Sequence, residues 1–441
     1  MKRTLPEERP CVLLASAAAG GTIAAVRHFG ALGMDVRVIS SHRLSAAAWS
    51  RYVSRSYSAP PEIEGPRFFE QLLAIGAADP GQVLLATSDQ TAWLYTENAA
   101  RLSEHFRVYQ PPLETMRRIL DKRLLAEAAV RAGLAVLPSW DPGGVDDLAA
   151  MAAKLPYPIL IKPRTHVHRR RNDKGVIVHA PNDLIRQYRL FVEREQPRTI
   201  PNPFMPDARL PLLQKFVAAA KEGIHSITGF IDRTGDLFVT RHSTKVLQRS
   251  RPAGVGICYE SLPPDRELAN AARQLCHEVG YFGIFEIEFV RSEDRWNVID
   301  FNPRLFSQIG LEVRRGMPLP LLACLDAMGD ASALRDAVAN AQTEPNGAKT
   351  VLYDRFTLHA LLLAQIMTSR VSRTDRAYWR SWVKQNFASS VDFAADGSDP
   401  MPGIIHALSE IYLGVRAFPR FLRSTPRVSP ITAPALTRGQ A

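Results

Sequence analysis

The feature that most constrains this chain is a pair of short strands in which acidic and apolar residues alternate. The segments 285–289 and 297–304 are separated by turn-forming residues at 292–295, which predicts an antiparallel hairpin. Alternate residues of a strand lie on the same face, so the hairpin has one apolar face and one polar face. The polar face carries five residues: Glu286, Glu288, Asp300, Asn302 and Arg304.

Carboxylates at opposed positions of such a hairpin lie about 5 Å apart and repel one another. The cluster is stable only where a cation neutralises it, and oxygen ligands without Cys or His nearby favour Mg²⁺. Because Mg²⁺ keeps water and phosphate oxygens in its shell, the pattern indicates a magnesium–nucleotide site. The alternative is a solvated hairpin face on which the acids are merely scattered.

Two lysines occupy positions typical of anion binding. Lys162 ends a strongly apolar strand at residues 158–163, where burial would neutralise it unless it reaches a cleft or an anion. Lys122 lies within a helix predicted over residues 113–132. Residues 212–217, a strand that turns into a loop, offer backbone groups suited to reading an adenine. Each signal taken alone also fits an ordinary surface lysine or a core strand.

The N-terminal segment alternates strands and helices and predicts a doubly wound α/β domain over residues 1–113. Thr87, Ser88 and Asp89 follow a strand and lie at the carboxyl edge of the sheet, where open α/β sheets bind ligands. We therefore expect this edge to contribute to the choice of substrate. The pattern predicts strands at 10–14, 35–40 and 82–86, a tight turn at 18–22, and helices at 23–32, 68–75 and 91–105.

The rest of the chain divides into two regions. Residues 114–330 predict α+β halves around a cleft, with a lid subdomain at about 135–212. Residues 331–441 predict a helical, basic C-terminal extension with a disordered tail. Its amphipathic helix at 402–423 is expected to pack on the core, and contact with an anionic membrane surface is the open alternative. Strands are predicted at 136–140, 158–163, 176–179, 212–217, 224–232, 236–242, 284–290 and 296–301.

Composition narrows the classes of protein that remain. Lys and Arg number 55 against 44 Asp and Glu, and the net charge of +11 favours an anionic ligand. The basic residues are spread without interleaved aromatics, which disfavours nucleic-acid binding. Four scattered cysteines fit neither a disulfide framework nor a zinc ribbon and indicate a cytoplasmic protein. A signal peptide is disfavoured because Glu7 and Glu8 directly precede the first apolar run.

Taken in chain order, these motifs resemble the ATP-grasp superfamily over about residues 11–328. The likeness implies two α+β halves that enclose ATP, preceded by the α/β domain. The arrangement is most similar to that of ATP-grasp carboxylate–amine ligases. The residues that carry it are Lys122, Lys162 at its strand end, Gln214 to Val217, Glu288, and the Ile-Asp-Phe-Asn-Pro-Arg segment that ends at Arg304.

The resemblance assigns nucleotide-binding roles to six residues. Lys122 and Lys162 correspond to the two lysines that hold the α- and β-phosphates of ATP. The remaining four would contact the adenosine: Gln214, Lys215 and Val217 at the hinge that reads adenine, and Glu222 at the ribose.

The resemblance also assigns a metal site and a catalytic group. Glu288, Asp300 and Asn302 correspond to the ligands of Mg²⁺, with Mn²⁺ as a possible substitute. Arg304 corresponds to the arginine that steadies the transferred phosphoryl group or the acyl phosphate. Lys245 and Arg249 are expected to face the phosphates or the substrate carboxylate.

The implied activity is that of an ATP-dependent ligase. A small-molecule carboxylate would be activated as an acyl phosphate and joined to an amine, with release of ADP and phosphate. An ATP-grasp phosphotransferase acting on a hydroxyl is the alternative. A dinucleotide-binding oxidoreductase is disfavoured because the turn at residues 17–22 lacks G-x-G-x-x-G. The two substrates and the oligomeric state are left open.

Two departures from the family pattern carry expectations of their own. Asp300 stands where the family often has glutamate, and the shorter side chain would shift the metal geometry slightly. The lid segment at residues 164–174 is strongly basic rather than rich in glycine and serine. Such a segment could clamp phosphates or an anionic acceptor through its side chains, or form a solvated loop.

Overall fold

The computed structural model describes residues 10–169, 175–195, 202–217, 223–249, 255–342, 349–367 and 371–423. Its first sheet is parallel and five-stranded, in the order β3-β2-β1-β4-β5. Strands β1 and β4 are short apolar runs buried on both faces, as helix-covered parallel sheets require. The order confirms a doubly wound N-terminal α/β unit. The strands are β1 Cys11–Leu14, β2 Asp35–Ser40, β3 Val53–Ser58, β4 Gln82–Leu85 and β5 Phe106–Val108.

Four helices and a short 3₁₀ turn at Ala46–Trp49 flank this sheet. Helix α1 begins at Gly20, so the glycines expected in a tight turn form its first turn instead. Gly21 permits a close approach, since a Cβ there would meet the carbonyl oxygen of Phe306 at 2.5 Å. The helices are α1 Gly20–Ala31, α2 Gly65–Ala78, α3 Asp89–Glu97 and α4 Ala99–Ser103.

The long helix predicted over residues 113–132 is two helices, α5 Leu113–Leu120 and α6 Lys122–Arg131. Asp121 separates them because its carboxylate accepts from the backbone N–H groups of Arg123 and Leu124 and caps α6. This break places Lys122 at the first position of α6, where its own N–H donates to the carbonyl of Arg164 at 2.9 Å.

A four-stranded antiparallel sheet follows, in the order β7-β10-β8-β9. Its apolar face packs against two helices, with Leu148, Ile161 and Leu213 fully buried in between. The strands are β7 Ser139–Trp140, β8 Ile159–Pro163, β9 Val176–Val178 and β10 Pro211–Lys215, and the helices are α7 Val145–Ala152 and α8 Pro181–Glu195.

The largest sheet has eight strands in the order β17-β16-β13-β12-β11-β14-β15-β6. Its centre is antiparallel, with the meander β11–β12–β13 on one side and the hairpin β14–β15 paired to β11 on the other. Strand β13 was not predicted, and β12 is longer than expected. The strands are β6 Ala135–Val136, β11 Ile224–Ile231, β12 Phe238–Arg249, β13 Val255–Leu262, β14 Gly283–Ser292, β15 Arg295–Asn302, β16 Val351–Tyr353 and β17 Val391–Asp392.

Four helices accompany this sheet between β13 and β16. They are α9 Arg266–Val279, α10 Ile309–Arg314, α11 Leu319–Met328 and α12 Ala331–Gln342. Helix α11 is buried and packs against both the N-terminal unit and the large sheet. The two α/β parts therefore share one core cluster, which fixes the carboxyl edge of the first sheet beside the end of β15.

The region after residue 330 is mainly helical, as expected, and it also contributes two short strands that were not predicted. Strand β16 pairs with β13, and β17 pairs with β16, so this region completes the large sheet. Strands of three and two residues are too short to show a period of two in sequence. The helices are α13 Arg355–Met367, α14 Arg373–Asn386 and α15 Met401–Arg423.

Helix α15 packs on the core through residues of its first three turns. Ile405 is buried, and the His406 imidazole lies 2.9 Å from the Asp354 carboxylate. Ile404, Leu408 and Ile411 are half-exposed. Within the described part of the chain, none of the helices combines the length and hydropathy that a membrane span requires. Surface contact with a membrane stays a prediction, and the predicted disordered tail lies outside the described residues.

Two buried histidines predict how stability depends on pH. The imidazoles of His225 and His242 are hydrogen-bonded at 3.1 Å, and burial lowers the pKa of each to about 4. The unfolded chain, with a His pKa near 6.5, then binds more protons, so stability is lost as pH falls from about 6.5 to 4. The expected loss of unfolding free energy is at most about 3 kcal/mol per histidine.

Urea denaturation at a series of pH values measures this loss. His242→Gln should flatten the dependence between pH 7 and 5, whereas replacing the exposed His277 by Gln should leave it as in the wild type. An identical slope in the wild type and the His242→Gln variant would contradict the assignment.

Candidate nucleotide-binding site

The hairpin is formed as predicted, and its register brings the residues of the polar face opposite one another. Glu288 lies opposite Asp300, and Glu286 lies opposite Asn302, all on one face of β14 and β15. Glu293 and Asp294 form the turn with positive φ angles of 53° and 59°. The facing carboxylates are therefore a property of the fold and not of scattered surface acids.

Cationic side chains from other elements neutralise these carboxylates. Lys122 Nζ on α6 lies 2.5 Å from Asp300 Oδ1, and Lys245 on β12 is ion-paired to Glu288. Lys245 and Glu288 are only 6% and 9% exposed. Burial lowers the pKa of Lys245, but Glu288, Tyr259 and Glu286 raise it by more, so it stays charged.

Glu286 is a member of the polar face for which the sequence suggested no role. It is 3% exposed and accepts hydrogen bonds from Ser226 Oγ at 2.9 Å, Asn302 Nδ2 at 3.0 Å and the Gln308 amide. Burial and the nearby Glu288 raise the pKa of Glu286 above its usual value. Its partners are neutral donors, so Glu286 orients Asn302 beside the two paired carboxylates.

Most of the predicted site residues line one cleft of about 760 Å³ between the four-stranded and the eight-stranded sheets. Inside it, Lys162 Nζ donates to Gln214 Oε1 at 3.0 Å, and Gln214 Nε2 donates to Ser139 Oγ at 3.0 Å. His166 of the basic lid segment also lines the cleft, as does Gln248, which no sequence motif singled out. The predicted residues in its wall are Lys122, Lys162, Gln214, Lys215, Val217, Glu288 and Asp300.

Some backbone N–H groups of the hinge that leads out of β10 are already hydrogen-bonded within the protein. The N–H groups of Lys215 and Phe216 donate to the carbonyls of Pro138 and Pro158 at 2.9 and 3.0 Å. The Val217 N–H makes no hydrogen bond to any residue that the structure describes. Val217 lies in the cleft wall, so its N–H group is available to donate to a ligand. Glu222, the predicted ribose contact, lies outside the described residues.

Arg304 and Arg249 have different positions relative to this cleft. Arg304 follows β15 and donates to Asp89 Oδ1 and Asn302 Oδ1, both at 2.9 Å, so it adjoins the acidic face. Arg249 is ion-paired to Glu410 on α15 and does not line this cleft, and its contact with the phosphates or the substrate carboxylate stays a prediction. Bulges in β12 between Lys245 and Gln248 shift the alternation, and Gln248 lines the cleft in place of Arg249.

Arg164, the first residue of the basic lid segment, holds neighbouring parts of the fold together. Arg164 is buried, and its guanidinium donates to Asp121 at 2.7 Å and to Asp141 at 3.0 Å. This links the end of β8 to the cap of α6 and so sets the spacing between Lys162 and Lys122. Residues 170–174 lie outside the described residues, and their role stays a prediction.

The donor set fits a hard divalent cation. The described residues contain no group of three or more His, Cys, Asp or Glu side chains placed to hold a metal alone. The polar face instead offers two carboxylates, Glu288 and Asp300, and the amide of Asn302. A small set of oxygen ligands is what Mg²⁺ uses when phosphates and water complete its shell.

Comparisons with known proteins identify the fold. No protein-family model matches the sequence, and a search of curated proteins finds no match. Among solved structures, the chain is similar to the biotin carboxylase domain of Hydrogenobacter thermophilus 2-oxoglutarate carboxylase, determined with MgADP, ADP and bicarbonate. The TM-score is 0.58 at 16% identity, over 72% of this chain and 69% of that chain.

Two further structures give the same result. Biotin carboxylase from Campylobacter jejuni has a TM-score of 0.53 at 16% identity, over 77% of this chain and 72% of that chain. The L-amino acid ligase from Bacillus licheniformis has a TM-score of 0.55 at 14% identity, over 73% of this chain and 75% of that chain. These proteins have the ATP-grasp fold, and so does this chain.

The ion pair between Lys245 and Glu288 predicts a stability effect. Lys245→Met leaves the buried Glu288 carboxylate without its cation and should lower the free energy of unfolding by about 3–5 kcal/mol. Adding Glu288→Gln should recover much of that loss. Lys349→Met, which breaks a pair with a mostly exposed lysine, should lower it by about 1 kcal/mol or less. Denaturant titration of the four proteins measures these differences, and equal losses for Lys245→Met and Lys349→Met would contradict them.

Proposed function

We propose that this protein is an ATP-dependent ligase that activates a small-molecule carboxylate and joins it to an amine. The observation that carries the proposal is that two facing carboxylates in the cleft wall of an ATP-grasp fold, Glu288 and Asp300, are each paired with a lysine. The likeness to structures of a biotin carboxylase and an amino acid ligase supports ligase over other ATP chemistry.

ATP fits the cleft with its adenine at the hinge and its phosphates at the lysines. Val217 supplies a free N–H for adenine, and Gln214 lies between the hinge and Lys162. Lys162 and Lys122 line the same wall and supply positive charge for the phosphates. In this proposal the two ends of the cleft separate base recognition from phosphate chemistry.

The acidic face holds the metal in the proposed complex. Glu288, Asp300 and Asn302 would bind Mg²⁺, or Mn²⁺ in its place, together with phosphate oxygens. The bound ion would supply charge neutralisation between the β- and γ-phosphates. Lys122 and Lys245, released from their carboxylates, would then turn to the phosphates, so the site stays close to neutral overall.

Arg304, which follows β15, and Lys245, on β12, assist the first of two successive displacements. A carboxylate oxygen of the substrate attacks the γ-phosphorus, and the bond from that phosphorus to the ADP oxygen breaks. Arg304 and Lys245 offset the charge that develops on the transferred group. An amine then attacks the acyl carbon, phosphate leaves, and the amine gives up its proton. No protein nucleophile is needed.

Removal of the metal ligands tests the proposal. Asp300→Asn and Glu288→Gln should each reduce ATP turnover by about 100-fold or more, because each removes a charge that holds the ion on the phosphates. The measurements are Mg²⁺-dependent ATP binding by calorimetry and hydroxamate formation when hydroxylamine replaces the amine. Replacement of the exposed Glu267 by Gln is the matched control and should change neither.

Two outcomes would contradict the ligase assignment. Mg²⁺-ATP binding without hydroxamate from any carboxylate, but with transfer of phosphate to a hydroxyl, would identify a phosphotransferase. Undiminished Mg²⁺-ATP binding in both variants would place the metal somewhere other than the hairpin.

A further inference from the structure

A second cavity adjoins the nucleotide cleft and is larger, at about 1310 Å³. It lies at the carboxyl edge of the N-terminal parallel sheet, between the ends of β1 and β4 and the segment after β15. His166 lines both spaces, and Arg304 lies in the wall of the second. A molecule in this cavity would therefore reach the phosphate end of the nucleotide cleft.

Glu62 is a fixed anion in the wall of this cavity. Its two carboxylate oxygens accept from Ser16 Oγ at 2.5 Å and from Ser88 Oγ at 2.6 Å. Ser88 is itself held as the cap of α3 by Thr91. No described residue forms an ion pair with Glu62, so its charge is oriented but not neutralised within the described structure.

Thr87 supplies a second polar group that lacks a partner. It lines the cavity and is only 5% exposed, and its hydroxyl makes no hydrogen bond to a described residue. Its backbone N–H is occupied by Thr91 Oγ1 at 3.1 Å. A buried hydroxyl without a partner is destabilising, so this one is suited to a ligand that fills the cavity.

Arg304, one of two arginines in the wall of the same cavity, is close to Glu62. Arg304 donates to Asp89, and Glu62 accepts from Ser88, so they are tied to consecutive residues whose Cα atoms are about 3.8 Å apart. Ile39 and Phe68 supply an apolar side of the same space. The wall of the cavity thus carries the acids Glu62 and Asp89 and the arginines Arg169 and Arg304. Glu62 and Arg304 lie at short separation, beside room for an apolar group.

We propose that this cavity binds the carboxylate substrate as an amino acid, with its ammonium group on Glu62 and its carboxylate facing Arg304. The proposal rests on the proposed ligase function and names the substrate class for that same reaction. A bound ammonium group would be the cationic partner that Glu62 lacks among the described residues. The hydroxyl groups of Ser16 and Ser88 already hold the Glu62 carboxylate in place for it. The proposal also gives Thr87, Ser88 and Asp89 the role in substrate choice that the sequence suggested.

Pairs of ligands that differ only in the ammonium group test the proposal. L-Phenylalanine is compared with 3-phenylpropionate, and L-alanine with propionate, within a panel of the twenty L-amino acids. Binding is read by calorimetry in the presence of Mg²⁺ and a non-hydrolysable ATP analogue, and turnover by ADP release. At least one amino acid should bind about tenfold or more tightly than its des-amino partner.

Two variants separate the role of Glu62 in binding from a purely structural one. Glu62→Gln keeps groups that can pair with the two serines but removes the charge, so the affinity for the amino acid should fall by about tenfold or more. Affinity for the des-amino acid should change little. The matched control is Glu70→Gln, which removes an exposed charge on α2 and should bind both ligands as the wild type does.

The results also distinguish this proposal from the proposed function. Equal binding of amino acids and des-amino acids by the wild type, or equal affinities in Glu62→Gln and Glu70→Gln, would overturn the amino-acid assignment while ligase activity stood. Tight amino-acid binding without ADP release or hydroxamate would support the assignment of the cavity and overturn the ligase function.

Discussion

The electrostatic balance between two facing carboxylates and two lysines is the interaction on which the site depends. Glu288 and Asp300 are held opposite each other by the register of one hairpin, so they cannot separate to relieve repulsion. Lys245 and Lys122 come from different elements and neutralise them. A site balanced in this way can accept a cation together with an anion, because metal and phosphate replace lysine and carboxylate as partners.

The rest of the fold places those four side chains. Asp121 ends one helix and caps the next, which puts Lys122 at the start of α6. Arg164 binds the same aspartate and ties the lid strand carrying Lys162 to that cap. The buried helix α11 joins the N-terminal unit to the large sheet. The cleft between the four-stranded and eight-stranded sheets shares His166 with the second cavity, and Arg304 in the wall of that cavity contacts Asn302 of the hairpin.

The sequence predicted the parts of the site that depend on local periodicity. Alternation alone placed Glu288 and Asp300 on one polar face, and apolar runs located β1, β2 and β4 of the parallel sheet. The sequence did not indicate that Gln248 lines the cleft and Arg249 does not, because a bulge in β12 shifts the alternation and no pattern of side chains marks a bulge. Strands β16 and β17 were missed because two or three residues carry no period, and their pairing partners are distant in the chain.

The break between α5 and α6 at Asp121 was not predicted, although the sequence contains a local signal for it. An aspartate directly before a helical run is a common cap, yet apolar periodicity on both sides favoured one continuous helix. The second cavity could not be read from sequence, because Ser16, Glu62 and Ser88 come from three separate loops. Only the topology of the parallel sheet brings them together, and that topology depends on long-range pairing.

The most direct test of the account is a crystal structure with Mn²⁺ and a non-hydrolysable ATP analogue, with the metal located by its anomalous signal. The account predicts Mn²⁺ between Glu288 and Asp300, and Lys122 moved from Asp300 to a phosphate oxygen. A bound nucleotide with no metal at the hairpin, and with Lys122 and Lys245 still on their carboxylates, would contradict it.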